Sequence, residues 1–303
     1  KNLKNLLSTI KINNKNFKNR IISSPISINM AEKGYVTKNI INFFSNLSKS
    51  GVSMVTIGAA SVSNQGSDTK NGMIIGDQKY LKKLKTLSQI IKSNNSLSSL
   101  QIFHVGAQGN SKHNNQEVVG PSDYIYENIG IKCRALKFNE ILKIEKDFVK
   151  AIIQADKAGF DFIEIHLAHG YLLHEFLSSY FNKRDDIYGG NLNNRFRIIK
   201  NILDASYKQR PNLKGKIGFR ISTNDYIKKG ITINVSKKIV SLLDKFKPAY
   251  VVVTAGLYET AKYKYIDMKN GKYWDYAKEI KKITNTPIIT QGGITDLYTG
   301  NYL

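Results

Sequence analysis

The chain has 303 residues, with 46 Lys and Arg against 23 Asp and Glu, for a formal net charge of +23 at pH 7. No stretch reaches the roughly 18 consecutive apolar residues of a membrane-spanning helix, and residues 1–15 hold no apolar run of the kind that cores a secretion signal. A single cysteine, Cys133, excludes an intramolecular disulfide framework and suits a reducing cytoplasm.

Short apolar runs alternate with amphipathic stretches along the chain. IKINNKNF at 10–17 reads as a strand–turn–strand placed to plug the bottom of a barrel. The predicted strands are RIISS at 20–24, VSMVTI at 52–57, LSSLQIF at 97–103, FDFIEIH at 160–166, KIGFR at 216–220, AYVVVT at 249–254 and TPIIT at 286–290. They are Val-, Ile- and Phe-rich and mostly apolar throughout, as strands covered on both faces are. Helical spacing marks 38–49, 78–93, 139–158, 193–208, 233–246 and 273–282. Residues 105–138 form a long polar excursion after the third strand, at the end where barrel sites lie. Lys82, Lys83, Lys85, Lys143, Lys146 and Lys150 interleave with apolar positions in the manner of solvated helix faces. No specific nucleic-acid partner and no membrane partner are therefore expected, despite the charge.

Repeated strand–helix units imply right-handed crossovers and a parallel sheet. Seven such units favour closure into a (β/α)8 TIM barrel over an open sheet, and no G-x-G-x-x-G follows an early strand. QGGITDLYTGNYL after the seventh strand contains no eighth, so the sequence reads as C-terminally incomplete, because a seven-stranded barrel leaves two edges unpaired. Without a Pro/Gly/Ser-rich linker, residues 1–303 read as one domain.

Unusual polar residues gather at predicted strand ends. Gln101 and His104 mark the third strand, His166 ends the fourth with His169 just beyond, and Arg220 closes the fifth. An unpartnered buried polar group costs about 1–3 kcal/mol, so such residues are expected to converge on a ligand at the mouth. Arg220 supplies permanent positive charge, and Gln101 supplies donor and acceptor together, suited to a heterocycle edge. Their alternative role is ordinary hydrogen bonding within the framework. A metal site from His166, His169, His174 and Glu175 is disfavoured, since only His166 lies on a strand and no H-E-x-x-H occurs. Cys133, beside Lys132 and Arg134, reads as a packing or surface residue.

FDFIEIHLAHGYLLHEFLSSYFNKRDDIYGGNLNNRFR at 160–197 resembles the central signature of the old yellow enzyme family. NRIISSPI at 19–26, LQIFHVGAQ at 100–108, KIGFRIS at 216–222 with NDYIKKG at 224–230, and TPIITQGGI at 286–294 are similar to other strands of that family. The resemblance covers about the whole chain. It implies FMN as cofactor and NADH or NADPH as reductant. Ser24, Pro25 and Ile26, with Ala60, would line the isoalloxazine; Gln101 would bond its pyrimidine edge; Arg220 would face the N1/C2 carbonyl region. Gly292 and Gly293 would admit the phosphate. His166 and His169 would hold a substrate oxygen, Tyr171 would donate a proton, and Asn29 stands where a substrate-contacting tyrosine is common. Ser27, Gly58 and Ala107 depart from frequent family choices, which bears on flavin potential and substrate range. The implied activity is reduction of activated alkenes (enones) or quinone-like electrophiles, and a homo-oligomer is left open. Two other readings stand beside it. One is a dihydrouridine synthase acting on tRNA, which requires a catalytic cysteine in an N-x-G-C-P context where Cys133 lies in IKCRA. The other is a degenerate barrel that binds a ligand without turnover.

Overall fold

The computed structural model of the chain describes residues 3–110, 112, 115–126 and 130–303. An antiparallel hairpin comes first, strands β1 (Ile10–Ile12) and β2 (Lys15–Phe17). The sheet then adds β3 (Ile22–Ser23), β4 (Met54–Ser61), β5 (Met73–Ile74) and β6 (Leu97–Phe103). After the excursion come β10 (Phe162–Leu167), β11 (Ile217–Ser222), β12 (Val251–Thr254) and β13 (Ile288–Ile289). Seven of these strands pair in parallel in the order β13-β12-β11-β10-β6-β4-β3, with β5 attached to β4. The curled parallel sheet with helices on its outside is a partial (β/α)8 barrel.

Alternation along the strands, broken once by a bulge in β4, builds two cores. Outward residues such as Ile163, Ile165, Phe219, Ile221, Val251 and Val253 meet the helices, where Phe44, Phe148, Ile199 and Leu243 are buried. Each such side chain contributes about 1.5–3 kcal/mol relative to exposure. Inward residues near the strand starts, Met54, Phe162, Tyr250 and Val252, form a second cluster closed from below by Ile12 and Phe17 of the hairpin. Phe17 lies 5.7 Å from Phe162, ring to ring, and Lys15 reaches Asp161 at 2.5 Å. The hairpin therefore plugs the barrel bottom as its sequence indicates.

The amphipathic stretches fold as helices Lys38–Ser48, Leu81–Ser93, Phe138–Lys157, Leu192–Gln209, Ile233–Asp244 and Lys272–Lys281. Side-chain caps set their starts. Thr37 accepts from the Ile40 amide, Asn191 from the Asn194 amide at 3.0 Å, and Glu140 reaches back to the Lys137 amide at 2.7 Å. Elements outside the expected repeat also form. The excursion holds a small sheet in the order β7-β9-β8, made of Val119–Gly120, Ile131–Ala135 and Tyr124–Tyr126; residues 111, 113, 114 and 127–129 lie outside the described part. Short helices at Leu172–Leu177 and Leu297–Tyr302 and a longer one at Ala261–Lys269 lack an apolar stripe long enough to be read from spacing. No helix among the described residues is long and apolar enough to cross a membrane.

Candidate active site

Parity places the site. On β6, β10, β11 and β12 the inward residues are Ser99–Gln101–Phe103, Phe162–Glu164–His166, Gly218–Arg220–Ser222 and Val252–Thr254, with Tyr250 just below β12. Register stacks them in layers: Gln101 pairs with Glu164 and Glu164 with Gly218, while one layer higher His166 pairs with Arg220 and Arg220 with Val252. The polar groups therefore rise in sequence toward the C-terminal mouth.

In the lower layer the Gln101 amide donates to Glu164 Oε1 at 2.6 Å, and the Tyr250 hydroxyl donates to Glu164 Oε2 at 3.2 Å. Gly218 has to be glycine here, since a Cβ would stand 2.5 Å from the Tyr250 ring. Burial raises the Glu164 pKa, and the nearby Arg220 charge opposes that rise. Burial likewise lowers the pKa of Arg220, with Glu164 acting the other way. Arg220 Nη2 donates to Gln291 Oε1 at 2.9 Å, an oxygen that also accepts from Ser24 Oγ at 3.0 Å. Nε and Nη1 of this buried guanidinium have no partner among the described residues. Such a charge-bearing donor pair calls for an acceptor that the described residues do not supply.

Above it, the Ala168 amide donates to His166 Nδ1 at 3.2 Å, so the neutral ring carries its proton on Nε2. His169 (φ 62°) and Gly170 (φ 78°) are both left-handed, which turns the chain so that Tyr171 stands beside His166, rings 4.8 Å apart. The two imidazoles lie 5.2 Å apart. They are not equivalent: His169 Nε2 bonds Thr254 Oγ1 at 2.9 Å, and its carbonyl accepts from Gln108 at 2.6 Å. Tyr171 packs on Phe103, Ala59 and Val105, and burial pushes its phenol up to about 12.

The remaining sequence-derived residues fall around this group. Ser24 and Ile26 are exposed beyond β3, and Pro25 packs against Gly58, where a Cβ would meet the Pro25 ring at 2.6 Å. A bulge between Ile57 and Ala60 inserts one residue into β4, so Ala60 sends its methyl into the sheet–helix core and Ala59 faces the mouth. Asn29, left-handed at φ 49°, accepts from the Thr69 hydroxyl at 3.2 Å. Gly292 and Gly293 take φ of 83° and 66°, and a Cβ on Gly293 would lie 2.3 Å from the Met268 carbonyl oxygen. His104 does not join the cluster. Its Nδ1 accepts from the Gly106 amide at 3.1 Å under Gly66, and burial, helped by Lys143, holds its pKa down at about 3.

The residues weighed as metal ligands separate. His174 bonds Asp225 at 3.1 Å and Glu175 accepts from the Ala107 amide at 2.8 Å. Cys133 is buried, and burial pushes its thiol up to about 12, which makes it a packing residue rather than a nucleophile. Glu164, Tyr250, Gln291 and Thr254 escaped the sequence reading, although all share the inward parity of His166 and Arg220.

Glu175 carries a pH consequence. It is fully buried, and burial first, then Glu259, raises its pKa well above the ordinary carboxyl range. The folded chain thus binds this proton more tightly than the unfolded one, whose value is about 4.3. The stabilisation is complete below that value and is lost as pH rises toward the folded value. Glu175→Gln has no proton to lose, so its Tm relative to the native chain should climb between about pH 5 and pH 8, by at least about 2 °C. A Tm difference that is flat across that range would show Glu175 ionised in the folded state.

Residues 5–299 match the NADH:flavin oxidoreductase / NADH oxidase family. Over 301 residues the chain is 32% identical to the NADH oxidase of Thermoanaerobacter brockii, covering 96% of this chain and 46% of that protein. It is 31% identical over 291 residues to the NADPH dehydrogenase of Clostridium acetobutylicum, covering 94% and 83%. Among solved structures, 2-naphthoyl-CoA reductase in complex with 2-naphthoyl-CoA superposes with a TM-score of 0.94 at 24% identity, covering 99% of this chain and 48% of that one. The old yellow enzyme homologue from Zymomonas mobilis superposes at 0.82 with 22% identity, covering 97% and 83%. The chain spans about half the length of the first protein of each kind. A match that runs nearly end to end, on a barrel of this topology, means that the chain belongs to the NADH:flavin oxidoreductase / NADH oxidase family, that of the old yellow enzymes, whose members use FMN and NAD(P)H.

Proposed function

We propose that the chain, as one FMN-binding unit over residues 1–303, is an FMN-dependent oxidoreductase that draws on NAD(P)H to reduce activated alkenes such as enones, or quinone-like electrophiles. The observation that carries this reading is Arg220: a buried guanidinium with Nε and Nη1 unpartnered among the described residues, in register with His166 of the His166–His169–Tyr171 group and one layer above Gln101 and Glu164. These residues fit a flavin, whose pyrimidine edge mixes carbonyl acceptors with an N–H donor. When bound, the flavin supplies hydride chemistry that side chains lack. Arg220 answers negative charge at N1 and the C2 carbonyl, and Gln101 bonds the adjacent edge. Backbone of Ser24, Pro25 and Ile26, with that of Ala60, borders the ring system, and the Gly292–Gly293 turn lets main chain approach the phosphate. His166 donates from Nε2 to the substrate oxygen, with His169 beside it and Asn29 at the rim. Tyr171, protonated at neutral pH, delivers a proton to the substrate carbon.

Cofactor identity tests the reading most directly. Heat-released cofactor from the protein, or from protein reconstituted with flavin, is expected to chromatograph as FMN. Recovery of FAD, or of no flavin after reconstitution, contradicts the site assignment.

A further inference from the structure

We infer that Glu164 is a positioning residue for the flavin's pyrimidine edge: its carboxylate dictates which way the Gln101 amide faces and offsets the charge of Arg220. The inference rests on the FMN reading above and adds to it a residue that would never touch the cofactor. Glu164 accepts at both oxygens, from Gln101 and from Tyr250, as a carboxylate does. Gln101 Nε2 donates to Glu164 Oε1 at 2.6 Å, and the flipped amide would set two acceptor oxygens against each other at that distance. One Nε2 hydrogen is thereby committed. The second hydrogen and Oε1 remain for a ligand in a single fixed order, a donor beside an acceptor, which is the complement of a heterocycle carbonyl beside a ring N–H.

Glu164 is itself held in place. Its other oxygen accepts from the Tyr250 hydroxyl at 3.2 Å, and that hydroxyl shares a 3.0 Å bond with Ser99 Oγ. Gly218, in register with Glu164, leaves room for the Tyr250 ring to reach it. The whole assembly is buried, with Ser99 and Tyr250 0% exposed, Glu164 1% and Gln101 4%, so little water competes for these bonds. Arg220 sits one layer above on the neighbouring strand and interacts with Glu164 through charge. The carboxylate therefore acts on both groups that face the flavin edge, one through orientation and the other through electrostatics.

The test uses the full chain, measuring FMN affinity by fluorescence quenching and the flavin midpoint potential. Glu164→Gln keeps the shape but can face Gln101 with either donor or acceptor, so FMN should bind about tenfold more weakly, the scale of one charge-assisted bond exchanged for a neutral one. Arg220, no longer offset, should favour reduced over oxidised flavin by about tenfold, a rise of about 30 mV for a two-electron couple. Glu164→Asp keeps the charge but shortens the reach to Gln101. It should lose affinity similarly while leaving the potential nearly native, and it decides the matter if Glu164→Gln does not fold. In a Gln101→Met background, Glu164→Gln should cost no further affinity yet still raise the potential. A role in packing alone would lower the Tm and leave potential and affinity native in both variants, which overturns the inference. Failure of the FMN reading looks different, because then the native chain itself takes up no FMN.

Discussion

Tyr171→Phe is expected to slow reduction of an enone by about 10²–10⁴-fold, the usual contribution of a positioned proton donor, while NAD(P)H:quinone turnover stays close to native. The reasoning follows the products. A reduced alkene needs a proton on carbon, and the half-buried Tyr171 phenol, pushed up to about 12, stands beside His166 with its proton retained at neutral pH. A reduced quinone takes its protons on oxygen, where water suffices. Phe keeps the contacts with Phe103, Ala59 and Val105, so the fold and the site's shape should survive. Steady-state rates with one enone and one quinone, together with NAD(P)H oxidation followed alone, decide it. Equal, severe loss on both substrates removes the proton-donor role. Small, equal effects on both would mean that Tyr171 only packs over the site.

Arg220→Met should produce two separable losses. Nε and Nη1 are the donors without partners among the described residues. At about 1.5–3 kcal/mol for each bond to a charged partner, their removal should weaken FMN binding by about 10²–10⁴-fold. The same change strips Glu164 of a nearby positive charge in a buried setting, which should lower the Tm. That penalty should grow with pH, because the Glu164 carboxyl, already raised by burial and lowered by Arg220, escapes charge only while protonated. Adding Glu164→Gln to Arg220→Met should restore much of the Tm but none of the flavin affinity. Binding of FMN within about threefold of native by Arg220→Met would place the flavin edge elsewhere. Recovery of binding together with stability in the double variant would show that Arg220 acts on the fold alone.

Sequence by itself determined the repeating units, the hairpin plug and the pair His166 and His169, to which the family resemblance added Tyr171. These are local facts: apolar runs of strand length, helical spacing, and polar residues crowded into the short H-L-A-H-G-Y turn after one strand. Gln101 and Arg220 were legible for the same reason, as polar residues in strands with no business in an apolar interior. Only the tertiary structure decided which neighbours those residues meet. Glu164 lies on the strand next to that of Gln101, Thr254 ends β12, and Tyr250 and Gln291 flank β12 and β13; register, which no single segment encodes, sets Glu164 against Gln101 and His166 against Arg220. Thr254 makes the two histidines unequal. A one-residue bulge in β4 turns the methyl of Ala59 toward the mouth and that of Ala60 into the sheet–helix core, because every inserted residue reverses the faces of a strand. His104, one residue past the inward-facing Phe103, falls on the opposite parity to the site histidines and is kept neutral by burial.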